Sequence, residues 1–183
     1  MALNFMVPRF TLNTTGYSHL SIITHWLGAI LVIALFATYE GKPGDAVYVF
    51  HVSFGAIAGL FLLWRVWLRI RCGFTDKPDQ ANIYNLASRI VIWGFLVSIV
   101  LVIISGYFLP WSLGRPLDVF GLEIPSPMER SRGLHEFMEE LHEITGILIM
   151  WLLALNFLGA AKDYFIDKDA VLQRRLRPVH GGK

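Results

Sequence analysis

A membrane bundle of four α-helices crossing up and down is the fold class this sequence predicts, and two observations predict it. Of the 183 residues, 55% are hydrophobic, and they gather into four stretches, each near the roughly 20 residues that cross a bilayer as a helix. Breakers and charges collect between the stretches, at Glu40 to Asp45, Arg71 to Gln80 and Trp111 to about Met128. The whole chain, 1–183, reads as one membrane domain with no internal repeat. Its single cysteine, Cys72, excludes an internal disulfide framework and any multi-cysteine iron–sulfur or zinc site built by this chain alone.

The first span is expected over 20–39, closed by Glu40-Gly41-Lys42-Pro43-Gly44-Asp45. The N-terminus before it, Met1 to Tyr17, lacks the apolar core and small-residue cleavage site of a secretory signal, so the first span is expected to stay in the mature protein. The second span, 46–70, ends in Trp64-Arg65-Val66-Trp67-Leu68-Arg69, where aromatic rings and snorkelling arginines mark a membrane–water interface. The third, 90–109, is stopped by Pro110 and leads into the longest connection. The fourth is assigned to 141–165. Its approach is amphipathic, because Leu134, Phe137, Met138 and Leu141 recur at helical spacing among Glu136, Glu139, Glu140 and Glu143, which read as a solvated face. Asp167 to Lys183 is a charged tail, interfacial or loose.

Orientation follows from lysine and arginine, which favour the cytoplasmic side. The N-terminus, second loop and tail hold Arg9, Arg69, Arg71, Lys77, Arg89, Lys162, Lys168, Arg174, Arg175, Arg177 and Lys183, eleven in all, against four (Lys42, Arg115, Arg130 and Arg132) in the opposite loops. Both termini are therefore expected in the cytoplasm, and the third loop faces the periplasm if the source is bacterial.

Ionisable side chains inside a bilayer are costly, and those that persist serve a pathway or a cofactor. Three histidines lie in apolar segments: His25, His51 and His142. Depth decides which can meet. His25 lies five residues into a span running outward and His51 five residues into the span running back, so they stand at opposite faces. His142 enters span four at about the level of His51, and these two form the natural pair. Two imidazoles facing across a four-helix bundle, with no cysteine or carboxylate at their depth, suit bis-histidine haem b better than zinc or a di-iron carboxylate centre. One turn after each histidine stands a small residue, Ala29, Gly55 or Gly146, which gives the clearance that a porphyrin edge needs. Each feature also has a plainer reading. A lone histidine such as His25 can simply hydrogen-bond between helices, and glycine and alanine also let membrane helices approach closely. His135, seven residues before His142 on the same face, is the competitor for its role, but it lies above the span and is expected at the surface. His19 and His180 read as exposed or interfacial.

Tyr17-Ser18-x-Leu20, Ile23-Thr24-His25-Trp26, His51-Val52-Ser53-x-Gly55, Arg65-x-x-x-Arg69, Leu141-His142-Glu143 and Phe165-Ile166-Asp167-Lys168-Asp169-Ala170-Val171-Leu172 together resemble the bacterial cytochrome b561 family, from Tyr17 to Pro178. The resemblance implies a four-helix inner-membrane protein with two b haems, one near each face, exchanging electrons with the quinone pool. It implies that His51 and His142 ligate the periplasmic haem and His25 the cytoplasmic one. The second cytoplasmic ligand should be a histidine fourteen residues after His142, where this chain has Asn156, and the histidine pair that usually follows is Asp163-Tyr164. Asn156 sits at the depth of His25, with the small Ala160 one turn on. Three outcomes are open there: an empty pocket, a haem held by His25 alone, or a pocket adapted to another ligand, of which the first two are preferred. Arg65 and Arg69 are candidates for haem propionates or lipid phosphates, with snorkelling to the interface as their default.

The expected function is electron transfer between the quinone pool and a periplasmic donor or acceptor, by an electron-transfer component rather than a bond-making enzyme. The alternative is an accessory subunit of a larger respiratory or photosynthetic complex, with a structural haem or a degenerate haem site. A transporter ranks behind both, since repeats and broken helices are missing. Lipid, a quinone and a redox protein are the expected partners, and no nucleic acid.

Overall fold

A computed structural model describes residues 19–72 and 82–165. The N-terminal eighteen residues, the tail from 166 with its arginines and His180, and much of the second loop lie outside the described residues, as do the side chains of His19 and Ala160. Four helices carry the fold: α1 (His19–Ala37), α2 (Ala46–Cys72), α3 (Asn82–Ser112) and α4 (Arg132–Phe165). Three contain stretches long and apolar enough to cross a membrane, Ala46–Arg71, Ile83–Ser112 and Arg132–Gly159, and the apolar part of the first is the shorter Ile22–Ala37.

Consecutive helices run antiparallel. His51 at the start of α2 meets Leu35 at the end of α1, Tyr107 Oη donates to Ala56 O at 2.6 Å between α3 and α2, and His142 of α4 reaches Val102 of α3. The up-down-up-down order follows from short connections between apolar segments. Leu62, Val66, Leu96, Ile99, Ile103 and Ile149 form the dry core between α2, α3 and α4. Large apolar side chains such as Ile30, Leu60, Trp151 and Phe157 point outward, as they must where lipid replaces water. The buried hydroxyls satisfy themselves on their own helices: Ser98 Oγ donates to Gly94 O at 2.7 Å and Thr145 Oγ1 to Leu141 O at 2.6 Å.

Two elements differ from the sequence-based expectation. Helix α3 does not stop at Pro110 but runs through it to Ser112. A proline within one turn of a helix end removes a single ladder bond, and the chain turns off only afterwards, with Leu113 and Arg115 both donating to Pro110 O. The following connection is not featureless. Leu117–Val119 (β1) pairs antiparallel with Leu122–Ile124 (β2), in the register Leu117↔Ile124, Asp118↔Glu123 and Val119↔Leu122. The two turn residues, Phe120 and Gly121, have φ of 51° and 90°, the left-handed pair that a tight hairpin requires.

Ser53 of α2 ties this hairpin down: its hydroxyl accepts from Phe120 N at 2.9 Å and donates to Asp118 O at 3.3 Å. Leu117 is buried beneath it. Replacing Ser53 with alanine strips a donor and an acceptor of their partner, which costs about 1 to 2 kcal/mol of local stability. Amide exchange over 117–124 should then speed up roughly tenfold; unchanged exchange would mean that Leu117 alone anchors the hairpin.

Candidate functional site

The first turn and a half of α2 and the upper part of α4 place two histidines opposite one another. The His51 and His142 ring centroids are 6.2 Å apart, with the ring planes at 82°. Each ring is held by the helix next to it. His51 Nδ1 donates to Leu35 O at 2.9 Å, with Thr38 Oγ1 at 3.3 Å, and Thr38 Oγ1 in turn lies 3.0 Å from Ala34 O. His142 Nδ1 donates to Val102 O at 3.0 Å, with Ser105 Oγ at 3.1 Å. A backbone carbonyl can only accept, so the proton in both rings is on Nδ1 and the lone pair is on Nε2. Metal-bound histidines commonly make this bond, from the ring nitrogen that does not face the metal to a backbone carbonyl.

The pair fits a haem iron. Half of 6.2 Å is about 3.1 Å, close to one metal–nitrogen bond of about 2 Å plus the radius of an imidazole ring. Among the described residues no group of three or more His, Cys, Asp or Glu could hold a metal ion, so the chain offers two ligands here, the number that a porphyrin leaves open and too few for structural zinc. The small residues named from the sequence lie beside open space. A Cβ on Gly146 would meet nothing within 4 Å, and one on Gly55 only Leu35 Cδ2 at 3.5 Å. A third glycine, Gly106 of α3, was not singled out in the sequence. Its missing Cβ would stand 3.1 Å from His142 Cε1, so this glycine lets the ring lie against α3.

His135 is not a surface residue as expected. It is half-buried, and its Nδ1 lies 3.2 Å from Leu109 O and 3.0 Å from Ser112 Oγ. The arrangement repeats that of His142, Val102 and Ser105 one heptad along both helices, because α3 and α4 keep their packing register beyond the span. The glutamates Glu136, Glu139, Glu140 and Glu143 are exposed, as the amphipathic pattern requires, and Arg132 Nε pairs with Glu136 at 3.1 Å. The rim by the pair is acidic: Tyr39 donates to Glu40 at 3.0 Å, and that bond, then the charge of Glu40, holds the phenol above its ordinary range, with Glu143 adding to it.

The other candidate level is built differently. Arg65 does not snorkel to the interface but turns inward, half-buried, and its Nη2 donates to His25 Nδ1 at 2.8 Å. Gly28 permits this, since a Cβ there would lie 2.9 Å from Arg65 Nη1. Guanidinium cannot accept, so here Nδ1 carries the lone pair and Nε2 the proton, the reverse of His51 and His142. In that tautomer His25 has no lone pair on Nε2 for a metal. Asn156 is exposed on α4, fourteen residues and about 21 Å of helix beyond His142. The residues at this level do not fit a bis-histidine haem.

Four helices with apolar stretches and two facing imidazoles that fit a haem iron are the features of a membrane cytochrome of the b type. The family model described as prokaryotic cytochrome b561 matches residues 16–177, and the chain belongs to that family. Cytochrome b561 homolog 2 of Escherichia coli (strain K12) is 29% identical over 178 residues, covering 91% of this chain and 94% of that protein. The protein is thus a haem-dependent electron-transport protein of the bacterial membrane, and the all-helical membrane fold expected from the sequence holds.

Proposed function

We propose that the chain carries one low-spin haem b between His51 and His142 and exchanges electrons between the quinone pool and a donor or acceptor on the periplasmic side. The observation that carries this reading is the pair of rings 6.2 Å apart, each with Nδ1 committed to a carbonyl. When bound, haem supplies a one-electron couple. Leu35 and Val102 fix the tautomer and ring orientation, and their carbonyls make both imidazoles stronger donors. Gly55 and Gly146 leave room for the macrocycle. The hairpin anchored on Ser53 closes the same end of α2, and the acidic rim disfavours anions there. Reduction of the purified protein by a short-chain quinol, followed by its haem absorbance, tests the reading. Reduction within seconds is expected, and a haem that stays oxidised in excess quinol would defeat it.

Both termini are proposed to be cytoplasmic on the basic-residue asymmetry. A reporter fused after Lys183 should read as cytoplasmic; a periplasmic signal would move the haem pair to the opposite face.

A second reading, an accessory subunit of a larger respiratory or photosynthetic complex, is favoured by Asn156, which breaks the two-haem path across the membrane. Stoichiometric co-purification with such a complex, and no quinol reduction by the isolated chain, would decide for it.

A further inference from the structure

Arg65 is a permanent cation in an apolar helix, and its partners are unusual. Its hydrogen bond goes to the neutral His25 ring, and the charge acting on it is that of Arg69, of like sign. Among the described residues no aspartate or glutamate pairs with it. Charged groups at this depth are otherwise paired, because a desolvated charge without a counter-ion is costly. One N–H of the guanidinium serves His25 while the rest of the fork is available, and a fork of this shape matches phosphate or carboxylate.

We propose that Arg65, steadied by His25, binds the phosphate of a membrane phospholipid where α2 packs on α1. Depth supports a lipid. Arg65 is seven residues, about 10 Å of rise, from the end of α2 at Cys72. The exposed Trp64 and Trp67, with the Arg71 guanidinium 4.9 Å above the Trp67 ring, mark the interface beside it. The flank of α1 next to His25 is apolar and outward-facing at Ile23, Trp26, Leu27 and Ile30, a bed for an acyl chain. A haem carboxylate is disfavoured twice. Arg65 lies fourteen residues, about 21 Å along α2, from His51, beyond reach of a haem there, and the His25 tautomer that Arg65 imposes presents N–H rather than a lone pair from Nε2. The α1–α2 contact around Arg65 so becomes a basic lipid-headgroup site between membrane helices, at the level where Asn156 replaces the family's histidine.

The inference rests on the one-haem reading, and both are read from the same sample by separate signals. Protein reconstituted with phosphatidylglycerol and exchanged into detergent is weighed by native mass spectrometry while haem per chain is measured by pyridine haemochrome. The wild type should retain one phospholipid per chain, Arg65→Lys a reduced share, and Arg65→Gln at least tenfold less, with haem at one per chain throughout. Retention by Arg65→Gln at the wild-type level would overturn the site. A fall in haem from two to one in that variant would instead assign Arg65 to a propionate and overturn it as well. A wild-type measurement needs no variant to fold: phosphatidylglycerol should raise the Tm and a diacylglycerol with the same chains should not. Equal stabilisation by diacylglycerol, or by inorganic phosphate alone, would defeat the phospholipid assignment.

Discussion

His51→Ala and His142→Ala should each abolish the low-spin b-type spectrum of the purified protein, leaving high-spin haem or none. His51 and His142 would hold the haem together in this reading, so loss of either imidazole would leave the iron one protein ligand short, and the remaining histidine could not make up for it. His135→Ala is the control. It removes hydrogen bonds of the same kind, to Leu109 O and Ser112 Oγ, but one heptad further out, about 10 Å along α4. Its low-spin spectrum should match the wild type, with a loss of about 1 kcal/mol in stability. A variant set in which His135 is indispensable and His142 is not would place the haem in the outer cradle. Optical spectra with haem-to-protein ratios distinguish these cases.

The histidine pair was legible in the sequence because it depends on counting. In an up-down-up-down bundle the second and fourth helices run in the same direction, so residues near the entry of each span from the same membrane face, His51 on α2 and His142 on α4, come to one level whatever the details of packing. The room beside them was legible for a similar reason, since Gly55 and Gly146 are fixed at one turn from each ring by helix geometry. What escaped depends on contacts between distant segments. The hairpin at 117–124 carries no Asn-Gly or Asp-Gly signal; its turn is made by Phe120 and Gly121, and Ser53, sixty-seven residues before Phe120, supplies its tether. The burial of His135 depends on α3 continuing through Pro110 far enough to present Leu109 and Ser112. Trp-Arg-Val-Trp-Leu-Arg is an interfacial pattern by composition, which does not disclose that Arg65 turns onto His25. The direction of one side chain follows from its hydrogen bond to His25 on another helix, beside Gly28, which composition does not reveal.

Asn156→His alone should leave the protein at about one low-spin haem per chain, although it restores the imidazole that the family pattern has at this position. The depth is right, fourteen residues beyond His142 on the same helix, and the amide it replaces is exposed. The obstacle is on the other side of the bundle. His25 accepts at Nδ1 from Arg65 at 2.8 Å, so ligating an iron through Nε2 requires breaking that bond and moving the proton. Asn156→His combined with Arg65→Leu removes the donor, returns His25 to a choice of tautomers, and should raise the low-spin content toward two haems per chain. His25 would then be essential for the added signal and irrelevant to the first. Two bis-histidine haems in the wild type, or a second haem gained by Asn156→His without any change at Arg65, would show that the Arg65 bond does not control His25. Transmembrane electron transfer through two haems would then be the better description of what this chain does.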